Sequence, residues 1–159
     1  MGWGNQPAPR EGQTAPDAAL TRLDGAVVSL SELVNEGPVL LAFYKDNCPV
    51  CQMTLPYLNR IRDGKLKVLA VGQDNLTRAR AFARDWGIEY ETLIDPADEY
   101  EASNAFGITH VPAMFVVDEG MKIRWASTGF VRADLEGLEE LAGMAVITEA
   151  DDVPAAKPG

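Results

Sequence analysis

The sequence predicts an α/β layer fold, a central mixed β-sheet with helices on both faces. Two observations carry this. Val39–Tyr44 is an uninterrupted apolar run, and residues 66–71 are apolar but for Lys67. Such runs lack the alternation of a half-wet strand and read as parallel strands covered on both faces. Segments with helical apolar spacing alternate with them along the chain, the pattern that builds a sheet between helical layers. The length of 159 residues and the apolar fraction of 47% fit one domain, with a core that needs no metal or disulfide staple.

Taken in order, residues 1–17 hold three Pro and three Gly and read as an irregular N-terminal arm. Residues 18–29 read as two short strands around Asp24-Gly25, a turn dipeptide, which makes an N-terminal β-hairpin. Ser29 or Ser31 is placed to cap a short helix ending near Gly37. Pro38 precedes the strand Val39–Tyr44. In residues 50–62, Met53, Tyr57, Leu58 and Ile61 form a helical stripe that Pro56 should kink. Residues 66–71 are the next strand. Asp74 or Asn75 caps a helix whose buried stripe is Ala79, Phe82, Ala83 and Trp86, with Arg78, Arg80 and Arg84 on a solvated face. Residues 90–94 suggest a strand. Asp95 is placed to cap a helix reaching about Phe106, with Pro96 at its first position. Residues 98–101, Asp-Glu-Tyr-Glu, read as a capping and surface run. Ala113–Val117 is a further strand, turned at residues 118–120 into a half-wet strand over 122–127 that carries Trp125, to which no role is given. Asp134 starts a last helix with Leu135, Leu138, Leu141, Ala142 and Ala145 on one side. The domain therefore spans 18–147, and 148–159 reads as a disordered tail.

Composition removes several functions. Fourteen Lys and Arg against 24 Asp and Glu give a net charge of −10. That field repels phosphate backbones and anionic lipid, so no nucleic-acid partner and no membrane are expected. No apolar run approaches the ~18 residues of a spanning helix. The first 30 residues show no charged segment followed by an apolar one, so the default expectation is a cytoplasmic protein. The alternative is an extracytoplasmic one whose leader or anchor has been removed. Two Cys and one His fall short of the four ligands of a structural zinc site, so neither metal nor cofactor is expected.

The chemistry lies in Cys48-Pro49-Val50-Cys51, between the strand Val39–Tyr44 and a helix start. A helix N-terminus offers unpaired N–H groups and partial positive charge, which favour a thiolate. Cys48 is therefore the nucleophile candidate. Cys51, one turn on, is placed to attack a mixed disulfide formed at Cys48. Pro49 lacks an N–H, which a first helical turn tolerates, and Val50 adds no charge. A second signal is residues 107–112, Gly-Ile-Thr-His-Val-Pro, just before Ala113–Val117. A Pro at a strand start after a turn is a position that favours a cis peptide.

These pieces together resemble the thioredoxin fold superfamily, in the AhpC/TSA-related branch of the TlpA-like redoxins and, more distantly, the peroxiredoxins. The resemblance covers residues 12–147. It rests on Gly12-Gln13-Thr14-Ala15-Pro16-Asp17, the segment 27–33, Phe43-Tyr44 before the Cys-Pro-Val-Cys, Pro56 five residues after Cys51, and Val111-Pro112 before residues 114–118. The strand–helix segment 73–95 suits a βα insertion of the redoxin branch. The resemblance implies a thioredoxin fold, a redox-active Cys48–Cys51 pair supported by Pro49, Val50 and Pro56, and a cis-Pro112 loop against it. It also implies that the backbone of Val111 pairs with an extended substrate chain, by strand addition. The expected activity is thiol–disulfide oxidoreduction by a monomer, on protein disulfides or dithiols, with an external electron donor.

The chain departs from its look-alikes in three places. Thioredoxin has Trp just before its first Cys, where this chain has Asn47. Thioredoxin has a buried Asp six residues before that Cys, where this chain has Ala42. TlpA-like proteins often carry Glu three residues after the second Cys, where this chain has Thr54. The usual proton acceptors for the resolving thiol are thus missing, and Cys51 is expected to resolve slowly at neutral pH. Lys45 and Asp46 are the nearest charged residues in sequence. His110, two residues before Pro112, is a candidate for tuning Cys48, against the plainer reading of a solvent-facing loop residue. A peroxiredoxin-like peroxidase is the alternative. Its Pro and Thr or Ser, seven and three residues before the reactive Cys, would fall on Leu41 and Lys45 counted from Cys48, or on Tyr44 and Cys48 counted from Cys51, so neither register fits. A non-catalytic binding module would need an inert dithiol.

Overall fold

The computed structural model describes residues 7–95 and 99–159. The hairpin expected at the start is present as β1 (Ala19–Arg22) and β2 (Val27–Ser29). Its turn needs a glycine, since Gly25 sits at φ 91°. Ser29 starts α1 (Leu30–Leu33): its Oγ accepts the Glu32 N–H, and the Glu32 carboxylate accepts the Ser29 N–H. This reciprocal pairing satisfies two otherwise free donors. There follow β3 (Val39–Tyr44), α2 (Pro49–Thr54), β4 (Lys67–Gly72), α3 (Leu76–Trp86), β5 (Glu91–Ile94), α4 (Glu101–Ala105), β6 (Ala113–Val117), β7 (Ile123–Thr128), β8 (Phe130–Val131), α5 (Arg132–Gly137), α6 (Glu139–Ala142) and β9 (Ala156–Lys157).

Seven strands form one mixed sheet in the order β2-β1-β5-β4-β3-β6-β7. β3, β4 and β5 are parallel, while β6 lies antiparallel to β3, β7 to β6, and β1 to β5. All six residues of β3 are buried, as the unbroken apolar run requires. Phe43 of this strand meets Phe106 at 5.3 Å and Phe115 at 6.1 Å between ring centroids, and Phe106 meets Phe115 at 5.0 Å. Deleting such a ring removes its transfer free energy and leaves a cavity. Phe106→Ala is therefore expected to cost about 3–5 kcal/mol in urea unfolding, and a loss under about 1 kcal/mol would deny this triad its place in the core.

The register between β3 and β6 positions the site. Phe43 pairs with Ala113, so the outgoing end of β3 and the incoming end of β6 lie side by side. The loop carrying Cys48 and the loop carrying Val111 thus emerge together although 63 residues separate them.

Several elements differ from the expectation. The helix after β3 is regular only to Thr54 and continues as a 3-10 segment over Leu55–Ile61, because Pro56 has no N–H for the next α-helical bond. Asn75, not Asp74, caps α3 by accepting the Arg78 N–H. Trp86 was expected in the core with Phe82. Phe82 is buried, but Trp86, the last residue of α3, is 42% exposed, with the Phe82 ring 6.5 Å from its own. α4 starts at Glu101 instead of near Pro96, which lies outside the described residues. Buried Asp95 still serves its start from a distance, accepting the Ala102 and Ser103 N–H groups. The last helix breaks at Leu138 into α5 and α6, and Ala145 lies beyond both. In the N-terminal arm, residues 12–15 bond to the backbone beside β7, through Gly12 N–H to Ile123 O and Ala15 N–H to Met121 O. Residues 156–157, expected in a disordered tail, form β9 against β8. The pairing needs only a free strand edge, which composition does not report.

Candidate active site

Cys48 holds an extended backbone and is the N-cap of α2. Its Sγ accepts the Cys51 N–H at 3.1 Å, one of the donors a helix start leaves unpaired. On its other side the Cys48 thiol donates to the Val111 carbonyl at 3.6 Å. Pro49 is the first residue of the helix, where its missing N–H leaves no bond unmade. The Val50 carbonyl accepts the Thr54 hydroxyl at 2.7 Å. Pro56 belongs to the 3-10 segment that follows. The Val111–Pro112 peptide is cis, and both residues are buried, Val111 at 8% exposure.

The two sulfurs differ in environment. Both are free thiols; Cys48 is half-buried and Cys51 fully buried. Burial pushes the Cys51 thiol well up, with the adjoining Cys48 sulfur adding to it and the Lys45 backbone N–H only partly opposing it. The three departures noted in the sequence are explained locally. Ala42 is buried inside β3, Asn47 is exposed, and Thr54 spends its hydroxyl on Val50. None of the three offers Cys51 a base.

Sequence reasoning missed a small acidic cluster beside this loop. Asp74 accepts the Asp46 N–H at 3.0 Å, and Arg78 lies 3.5 Å from Asp46 and 3.8 Å from Asp74. Burial, and then the charge of Asp46, raise the Asp74 carboxyl. The hydroxyl of Tyr44 is buried without a hydrogen-bond partner among the described residues. Burial raises this phenol strongly, and Asp74, Asp46 and Cys51 each add to the shift. Only the i, i+4 spacing of Asp74 and Arg78 hinted at the cluster. His110 is exposed, with Nδ1 3.1 Å from the Thr109 hydroxyl.

Residues 11–126 match the AhpC/TSA family. The thiol-disulfide oxidoreductase ResA of Geobacillus thermodenitrificans is 31% identical over 124 residues, covering 74% of this chain and 69% of its own. ResA of Geobacillus kaustophilus is 30% identical over 132 residues, covering 79% and 74%. The crystal structure of a putative thiol:disulfide interchange protein DsbE from Chlorobium tepidum superposes with a TM-score of 0.70 at 29% identity, covering 82% of this chain and 93% of that one. These matches overturn the cytoplasmic expectation, because such relatives are extracytoplasmic thiol–disulfide oxidoreductases. The absence of a leader pattern from the first 30 residues does not decide compartment, because a leader is removed on export.

Proposed function

The chain belongs to the AhpC/TSA family and is a thiol–disulfide oxidoreductase of its redoxin, TlpA-like branch, and from that premise we propose that Cys48 and Cys51 are its redox pair, acting on protein disulfides. In the reducing direction the Cys48 thiolate attacks one sulfur of a client disulfide. That bond breaks, the other client sulfur leaves and takes a proton, and a mixed disulfide forms. Cys51, as thiolate, then attacks Cys48 Sγ. The mixed bond breaks, the client departs as dithiol, and the protein is left as the Cys48–Cys51 disulfide, two electrons poorer. An external dithiol donor restores it. Val111 and Pro112 receive the client backbone as an added strand. Pro49 and Val50 shape the helix start that holds the pair, and Pro56 ends the regular turns behind it.

The observation that carries this reading is the 3.1 Å bond from the Cys51 N–H to Cys48 Sγ, with the second thiol buried one turn behind the first. Redox titration in defined thiol buffers tests it. An intramolecular disulfide is expected, lost in Cys51→Ser. A midpoint near ~−270 mV marks a reductant fed by a strong donor, and one near ~−120 mV an oxidant. If no intramolecular disulfide forms at any poise, the reading fails.

A further inference from the structure

The C-terminal segment crosses the face on which the dithiol opens. Its root is firmly tied. Asp151 takes a two-pronged bond from Arg60 at 2.7 and 2.9 Å and the Thr148 N–H at 2.8 Å. Arg132 donates to the Asp151 carbonyl at 3.2 Å and the Thr148 carbonyl at 2.8 Å. Beyond this root the chain is extended. The Arg132 N–H donates to the Ala155 carbonyl at 2.9 Å, and β9 pairs antiparallel with β8, Val131 opposite Ala156 and Phe130 opposite Lys157.

The segment then runs onto the cis-Pro112 loop. Gly129 donates its N–H to the Pro112 carbonyl at 2.8 Å. Gly129 has φ 75°, and a Cβ there would stand 2.7 Å from the Lys157 carbonyl and 3.3 Å from the Gly159 nitrogen. At the far end the fit is tighter. A Cβ on Gly159 would lie 1.8 Å from the Val111 oxygen and 2.6 Å from its carbon. That oxygen is the atom to which Cys48 donates its thiol hydrogen.

Residues 154–159 are nevertheless exposed. Their side chains are small or polar, and two are Pro, which favours extended backbone and offers no bulky anchor to the core. Val153 at its head packs against the core, but beyond it the segment is held by backbone contacts with little buried apolar surface, and such a segment opens at low free-energy cost.

We propose that residues 153–159 are a strap that occupies, in cis, the strip formed by β8 and Val111 where an extended client chain docks, so that a client must displace the strap to reach Cys48. The proposal rests on the reading of Val111 and Pro112 as the client-binding loop. The strap lowers apparent client affinity by the fraction of molecules in which it is open.

Three forms test it: the intact chain, a form lacking residues 153–159 that keeps the Asp151 root, and Gly159→Val, whose side chain cannot fit against Val111. The last alters one exposed residue, so it keeps the test valid should the trimmed form fold poorly. Iodoacetamide labelling of Cys48 and the KM for a disulfide-bonded peptide are measured on each. Labelling is expected to rise, and KM to fall, by about fivefold in both altered forms. A synthetic peptide of residues 153–159 should restore slow labelling to the trimmed form. Equal labelling and equal KM across all three forms overturn the strap while leaving the redox reading intact. Differential labelling with no client reduction by any form defeats the client reading and, with it, the competition between strap and client.

Discussion

Replacing Cys51 by Ser should stall the protein as a stable client–Cys48 mixed disulfide, while replacing Cys48 by Ser should abolish turnover by about three orders of magnitude or more. The asymmetry follows from geometry. Cys48 is the half-buried thiol at the helix start, and Cys51 lies behind it, wholly buried. A client disulfide therefore meets Cys48 first. The Cys51→Ser form can still open that disulfide but has no second sulfur to expel the client. Non-reducing electrophoresis after mixing with a disulfide-bonded protein checks this: an adduct is expected with Cys51→Ser and none with Cys48→Ser. Adducts of equal yield through Cys51 in the Cys48→Ser form would reverse the two roles.

Release of client from Cys48 should accelerate about tenfold for each pH unit across the range from 6.5 to 9, without levelling off. The sign follows from the buried thiol. Burial favours the neutral form, so the Cys51 ionisation lies above its ordinary range. Below that ionisation the thiolate fraction grows tenfold per pH unit, and only the thiolate attacks. The nearby groups do not flatten the slope. Thr54 gives its hydroxyl hydrogen to Val50, and Asp46 and Asp74 are engaged with Arg78. Stopped-flow measurement of release from a preformed Cys48 adduct tests the claim. A plateau beginning near pH 7, or a neutral rate equal to thioredoxin's, would mean that a base reaches Cys51 after all.

Much of the molecule was legible from local pattern. β3 declared itself by six apolar residues in a row, and a serine cap at 29 or 31 and the Asp24-Gly25 turn are readable within a few residues, while the choice of Ser29 and its pairing with Glu32 came with the structure. The dithiol was legible for the same reason, since its chemistry depends on a helix start that the next four residues define. The boundaries of α4 and the split of the last helix were not, because tertiary contacts set them: Asp95 holds the start of α4 across seven residues. Trp86 follows the helical stripe in sequence yet stands exposed, since the periodicity of a helix names a face but not how far its partner layer extends.

Local pattern along the chain settles which sulfur stands at a helix start, which follows it by one turn, and which runs become buried strands. These depend on backbone propensity and side-chain spacing within a dozen residues. Assembly of the sheet brings Val111 beside Cys48, through the pairing of β3 with β6, and brings Gly159 against Val111, beyond the pairing of β8 with β9. Strand pairing is made by backbone groups that every residue carries, so its partners depend on which edges the assembled sheet leaves free, and no local pattern encodes that choice.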